Sequence, residues 1–325
     1  MVDEVTSAGS AAASRGPARF YEIAGITVQV EADLPMTAET FAAKFRQFEV
    51  TGPGPDTVVV RHHFGVPAVA EDELGEQVFR RPPWAVYHRP GRWTYLGIQP
   101  LPDDRRLERV VVFDEEHRIG DVYNPAQSEE VFRQGGLVSL TMLPTDQILL
   151  ARLLADRDGV FLHSGGVILD GRGLLFVGHS DAGKSTSIRF VEDRAEVLCD
   201  DRNIVRRTPG GFRVYGTWSH GEVPQVSAAS APLAALLFLR KAERNRLVRI
   251  ADGKVLAEHL LPCVVKPLAT ADWWEKTLDV LEALGRDVSC YEMEFDTSGD
   301  IVAALTDLVA SRGEPSGDAG AGGRA

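Results

Sequence analysis

Cysteine is scarce in this 325-residue chain, and the three that occur stand far apart. Cys199, Cys263 and Cys290 form no CxxC pair, so the sequence predicts neither a disulfide framework nor a zinc knuckle. We expect a reduced, cytoplasmic setting. Apolar runs of membrane-spanning length are missing. Residues 1–16 also lack the basic and apolar regions of a secretory signal, so we expect no such signal.

Positive charge is in deficit. The chain has 35 lysines and arginines against 47 aspartates and glutamates, a net charge of -12. An acidic protein is a poor non-specific binder of nucleic acids and of anionic membranes, so we expect neither as a partner. The composition, 44% hydrophobic and 25% charged residues, is typical of a globular protein, and the length suits two domains.

The pattern of strands and helices changes along the chain. Short alternating strands with turn residues between them predict a mostly antiparallel β domain over residues 18–140. Over residues 141–310, buried-strand patterns alternate with helical ones. Small and polar residues predict flexible tails at 1–17 and 311–325. The expected fold class is α/β (α+β): an N-terminal β domain packed on a domain that has a mixed sheet and flanking helices.

A glycine-rich loop follows the apolar run 174–177. Residues 178–185 read GHSDAGKS and match the P-loop pattern G-x-x-x-x-G-K-[ST]. Such a loop directs backbone N–H groups and the positive end of a helix dipole at phosphates, while its lysine reaches the β- and γ-phosphates and its hydroxyl binds Mg²⁺. A chance match in a glycine-rich chain is the alternative. The predicted nucleotide-binding residues are Gly178, His179, Ser180, Asp181, Ala182, Gly183, Lys184, Ser185 and Thr186.

Strands on both sides of this loop strengthen the interpretation. Residues 160–169 form a strand pattern, and a turn signal at 170–173 predicts an antiparallel hairpin with strand 174–177. After the expected loop helix, the apolar run 195–199 ends at Asp200 and Asp201. Carboxylates at the end of a strand are suited to holding Mg²⁺ or to accepting a proton. A solvated Asp-Asp turn is the alternative.

Three further groups have two interpretations each. His163 is on strand 160–169, near the edge of the sheet where Asp200 and Asp201 are expected. It either assists the carboxylate that accepts the proton or simply packs in its strand. Glu222, in the loop 216–222, is a further candidate for Mg²⁺ or substrate contact. The basic residues after strand 236–239 either add charge near the phosphates or are solvated; they are Arg240, Lys241, Arg244, Arg246 and Arg249.

Together these residues resemble the catalytic domain of the HPr kinase/phosphorylase family, which shares its nucleotide-binding core with phosphoenolpyruvate carboxykinases. The resemblance is carried by Leu162-His163-Ser164, by the P-loop and by Cys199-Asp200-Asp201, and it covers residues 141–310. The loop 216–222 resembles that of divergent HPr-kinase-like proteins, some of which accompany peptide-modification pathways. The N-terminal part of the chain does not resemble the N-terminal domain of the bifunctional HPr kinase/phosphorylase.

The resemblance implies ATP- and Mg²⁺-dependent phosphorylation of a serine hydroxyl. It assigns phosphate and Mg²⁺ binding to Lys184 and Ser185, the base to Asp200, metal support to Asp201 and assistance to His163. Lys184 is thus counted with Asp200 and His163 as catalytic, and Ser185, Asp201 and Glu222 as metal ligands. Asp181 stands where the family usually has glycine.

Two functions follow from these observations. The first is a kinase acting on a hydroxyl of a peptide, a protein or a small molecule, with homo-oligomerisation left open. The second, motivated by Asp181, is a nucleotide-binding regulatory or scaffold protein with little catalysis. A GTPase is disfavoured because no N-K-x-D motif occurs. A decarboxylating carboxykinase is disfavoured because no site for its substrate is evident.

Overall fold

The computed structural model describes residues 16–99, 107–142 and 146–311. The chain divides into two compact units, one of Met1–Glu22 with Ile26–Asp146 and one of Ile23–Gly25 with Gln147–Ala325. Each unit contains a large sheet and helices, so the mixed α and β class is confirmed. Most of both predicted tails, residues 1–15 and 312–325, lies outside the described residues.

Unit 1 is built on a nine-stranded sheet in the order β3-β1-β2-β4-β9-β8-β7-β6-β5. Its strands and helix are β1 (Arg19–Ile23), β2 (Ile26–Ala32), β3 (Glu49–Val50), β4 (Thr57–Phe64), β5 (Glu76–Arg81), β6 (Trp84–Arg89), β7 (Arg92–Ile98), β8 (Leu107–Asp114), β9 (Ile119–Asn124) and α1 (Ser128–Gln134), with short 3-10 helices at Ala43–Phe48 and Glu71–Glu73. The pairs β5–β6, β6–β7, β7–β8 and β8–β9 are antiparallel. Strand β4 is parallel to both β2 and β9.

The neighbours His62 and His63 show how alternation along β4 separates side chains. His62 is fully buried, its Nε2 lies 2.8 Å from the Leu140 carbonyl, and burial lowers its pKa to about 4. His63 faces the other side of the sheet, between the carboxylates of Asp33 and Asp121. The two rings therefore share no site.

Unit 2 is built on a sheet in the order β11-β10-β13-β14-β15-β17-β16, with β12 paired to β10. Its elements are α2 (Gln147–Ala155), β10 (Gly159–Leu169), β11 (Arg172–Val177), α3 (Lys184–Arg189), β12 (Ala195–Cys199), β13 (Arg202–Thr208), β14 (Gly211–Tyr215), β15 (Ser230–Lys241), β16 (Arg246–Arg249), α4 (Gly253–Leu260), α5 (Ala271–Asp287), β17 (Ser289–Phe295) and α6 (Ile301–Ala310), with a 3-10 turn at Leu261–Cys263. Strand β15 is parallel to β11 and β17, so the sheet is mixed. Because β11 pairs with both β10 and β15, the strands β11, β10, β13, β14 and β15 form a closed circuit.

Strand β11 is buried on both faces. Leu175 and Val177 pack in the cluster that contains Trp273 of α5, while Phe176 packs in the cluster that contains Ile188 of α3. Burial on both faces explains why the strand has a continuous apolar run instead of an alternating one. Each such side chain stabilises the fold by about 1.5–3 kcal/mol. The loop that follows β11 therefore starts from a firmly held strand.

Candidate active site

The glycine-rich loop connects β11 to α3, and its two glycines have no room for a side chain. A Cβ on Gly178 would lie 2.7 Å from the Cβ of Ala182. A Cβ on Gly183 would lie 2.6 Å from the ring of Phe295, and Gly183 has φ +108, a left-handed conformation. Both positions therefore require glycine for the tight turn into the helix.

Asp181 also has a left-handed backbone, with φ 63. Aspartate tolerates this conformation better than most residues, but glycine adopts it with less strain. The Asp181 side chain is exposed, and its negative charge acts on Lys184. The residue therefore combines a backbone suited to glycine with a charge that opposes phosphate binding.

Lys184 begins α3, and its ammonium group turns back onto the loop. Its Nζ donates to the carbonyl oxygens of His179, at 2.8 Å, and Gly178, at 3.1 Å. Burial lowers the pKa of Lys184, while the nearby carboxylates, Asp201 first among them, act in the opposite direction. A partly desolvated ammonium group inside a loop is well placed to bind an anion.

Asp200 follows β12, and every one of its described partners is a hydrogen-bond donor. The carboxylate is 2% exposed. One oxygen accepts from the backbone N–H of Gly221, and the other from the N–H of Val223 at 2.7 Å and the Ser185 hydroxyl at 3.2 Å. The structure thus joins Ser185, predicted from the loop motif, to the first carboxylate of the predicted acidic pair.

Asp201 faces a different set of groups. It accepts from His163 Nε2, at 3.2 Å, and from the Arg202 guanidinium group. Its backbone carbonyl accepts from the N–H of Ser164 on β10, which fixes it beside His163. Burial acts to raise the pKa of Asp201, but His163, Arg202 and Lys184 outweigh it, and the pKa lies below its usual value. The carboxylate is therefore ionised at neutral pH.

The loop 216–223 reaches the site through its backbone. Gly221 and Val223 bind Asp200, whereas the Glu222 side chain is 73% exposed and lies 3.9 Å from Arg189. The sequence analysis named Glu222 as a candidate ligand and missed the two N–H groups. Every residue except proline has a backbone N–H group, so the sequence does not indicate which of them bind a carboxylate. Among the described residues, no three His, Cys, Asp or Glu side chains converge on a metal-binding position.

Arginines at the end of β15, in the turn that follows and at the start of β16 surround one buried glutamate. Arg240, Arg244 and Arg246 all bind Glu294 of β17, whose side chain is 0% exposed. The sequence pattern predicted a group of basic residues here but did not identify Glu294 as their partner. A glutamate in an alternating strand normally indicates a solvent-facing position.

Comparisons with known proteins find similarity to one protein family and to solved structures. The protein-family model described as SynChlorMet cassette protein ScmC matches residues 137–265, less than half of the chain. Among solved structures, the HPr(Ser) kinase/phosphatase from Coxiella burnetii is similar at 11% sequence identity and a TM-score of 0.30, over 47% of this chain and 89% of that one. No curated protein matches the sequence. Among the described helices, none is long and apolar enough to cross a membrane.

Proposed function

We propose that this chain is a kinase that transfers the γ-phosphoryl group of ATP to a hydroxyl group, with a carboxykinase-like P-loop core in unit 2. The observation that carries the proposal is the hydrogen bond from Ser185, at the start of α3, to the buried carboxylate of Asp200 at the end of β12. A hydroxyl and a carboxylate joined beside a glycine loop and its lysine are the parts that a phosphoryl-transfer site needs. The segment matched by the family model, residues 137–265, contains all of them.

The residues present fit a Mg²⁺-bound nucleotide. Gly178 and Gly183 leave a tight loop with no side chain in the way, and Lys184 supplies a buried positive charge. Ser185 and Asp200 offer the oxygen ligands that Mg²⁺ prefers. When bound, Mg²⁺-ATP supplies the transferable phosphoryl group, and the ion neutralises part of its charge.

The contacts favour a division of labour between the two aspartates that differs from the one expected by resemblance. Asp200 is buried, and its oxygens already accept from three donors, so we assign it to the metal side with Ser185. Asp201 is more accessible and lies beside His163, so we assign it to the acceptor side. As an ionised carboxylate it accepts a hydrogen bond from the incoming hydroxyl group and takes its proton, while His163 fixes its orientation.

Nucleotide titration of the full-length chain tests the proposal. We expect Mg²⁺-ATP to bind, and Lys184→Ala to weaken binding about 100-fold, because charge-assisted bonds to two phosphates are lost. Lys254→Ala removes the same charge from an exposed position on α4 and is the matched control. Transfer is then read as the mass gain of one phosphoryl group on serine-containing peptides. Full affinity in Lys184→Ala would refute the assignment of the loop.

Asp181 is the reason for proposing a second candidate function. Its exposed carboxylate, on a left-handed backbone in the loop, favours a nucleotide-binding regulatory or scaffold protein in which transfer is inefficient. Tight ATP binding without transfer to any peptide tested would support this second function over the first.

A further inference from the structure

Three neighbouring strands of unit 2 carry a row of charged side chains near the glycine-rich loop. Arg240 of β15, Glu294 of β17 and Arg246 of β16 are register partners, so they lie side by side on one face of the sheet. Arg244 joins them from the turn between β15 and β16. We call Arg240, Arg244 and Arg246 the arginine cluster.

The three arginines of the cluster contact only two carboxylates, those of Glu292 and Glu294. Glu294 is fully buried and needs one cation, yet it binds all three arginines, and Glu292 adds only one more carboxylate through Arg240. Lys241, which is exposed, adds a further positive charge. Glu243 in the same turn and Asp296, which binds Asn245, offset part of this charge, so the capacity of the arginine cluster for an outside anion lies in its unused N–H donors.

The guanidinium groups are held in place and still present donors to solvent. Their side chains are 52%, 63% and 49% exposed for Arg240, Arg244 and Arg246. Arg244 uses only its Nε toward Glu294, which leaves both of its Nη groups available within the described part of the chain. Guanidinium groups positioned in this way bind carboxylates with planar, paired hydrogen bonds.

Only part of the arginine cluster lies away from the phosphates in the loop, because Arg240 is on β15, which pairs with β11, whereas Arg246 is on β16. Strand β16 is three strands away from β11, through β15 and β17. At about 4.8 Å per strand, Arg246 is roughly 14 Å from the end of β11, too far to serve a triphosphate held by Lys184. The nucleoside part of ATP is uncharged, so it offers no anion for Arg246 to bind. An extended peptide covers this distance in about four residues.

We propose that the arginine cluster docks an acidic side chain of a peptide or protein acceptor, about four residues from the hydroxyl group that receives the phosphate. This inference rests on the proposed kinase function and specifies its substrate class. The arginine cluster selects acceptors in which glutamate or aspartate stands at that spacing, and it holds them while the hydroxyl group reaches Asp201.

Two labelled peptides test the inference on the full-length chain. One has a central serine with glutamates about four residues to either side, and the other has glutamines instead. We expect the acidic peptide to bind at least about tenfold more tightly in fluorescence anisotropy, and the difference to shrink as salt rises. Arg244→Gln should weaken only the acidic peptide, by about fivefold, because Arg240 and Arg246 still neutralise Glu294.

Arg286→Gln, which removes an exposed arginine from the end of α5, is the matched control and should leave both affinities unchanged. Equal binding of the two peptides overturns the inference, as does an Arg244→Gln variant that loses affinity for ATP instead of for the acidic peptide. A separate ATP titration keeps the two proposals apart. ATP binding without a preference for the acidic peptide refutes only the docking site, whereas a preference without ATP binding refutes the kinase assignment.

Discussion

Replacing Asp200 by asparagine should destabilise unit 2 as well as abolish Mg²⁺-dependent binding of nucleotide. The carboxylate accepts from two backbone N–H groups, those of Gly221 and Val223, on different oxygens. An asparagine side chain has a single acceptor oxygen, so in either orientation its NH₂ group faces one of these N–H donors. Leaving a buried donor without an acceptor costs about 1–3 kcal/mol. A cost near 2 kcal/mol lowers the melting temperature of a domain of this size by roughly 4–8 °C.

Thermal unfolding of the intact chain, followed by circular dichroism, measures this effect. Asp201→Asn is the control, because the partners described for Asp201's side chain are the side chains of His163 and Arg202, which water can replace at a partly exposed position. We expect a clearly smaller shift for Asp201→Asn. If Asp200→Asn melts at the temperature of the unmodified chain, or if Asp201→Asn is the less stable variant, then the loop 216–223 is not anchored on Asp200 as described.

The remaining predictions concern the loop and the start of α5. Asp181→Gly should bind Mg²⁺-ATP about fivefold more tightly in calorimetric titration, since it removes a negative charge worth about 1 kcal/mol and a left-handed aspartate. Asp181→Asn, which removes only the charge, should show part of the gain, and unchanged affinity in both variants would contradict the role given to this charge. At the start of α5, Asp272 is partly buried, which acts to raise its pKa, but bonds from Arg152 and Thr270 prevail and lower it from 3.8 to about 2. Its ionised form therefore stabilises the fold above about pH 4, and this contribution is lost as the pH falls toward 2. Denaturant unfolding between these pH values should show a shallower acid loss for Asp272→Asn, and identical slopes would contradict the pairing.

The local parts of the site could be predicted from sequence because neighbouring residues determine them. The turn signal at 170–173 predicted the hairpin of β10 and β11, which is confirmed, with Asp170 and Gly171 both at positive φ. The helix predicted after the loop begins at Lys184, and the strand predicted before Asp200 ends at Cys199. Each of these depends on residues only a few positions apart.

The long-range parts could not be predicted in this way. The parallel pairing of β11 with β15 joins segments more than fifty positions apart, and no local pattern encodes it. The same holds for the backbone groups of Gly221 and Val223 on Asp200. Glu294 was missed because a single charged residue in a strand normally faces solvent, and only the structure shows three arginines converging on it.

The strand order also has a consequence for how the chain folds during synthesis. All nine strands of unit 1 lie between Arg19 and Asn124, so its sheet can pair as soon as that segment has left the ribosome. In unit 2, β11 is synthesised long before its parallel neighbour β15, and β17, the other parallel neighbour of β15, is synthesised later still. Parallel pairing over such separations is slow, because loop closure is costly before any contact forms. Until β15 is made, apolar β11 is paired only with β10, so we expect its other edge to be open to aggregation during synthesis.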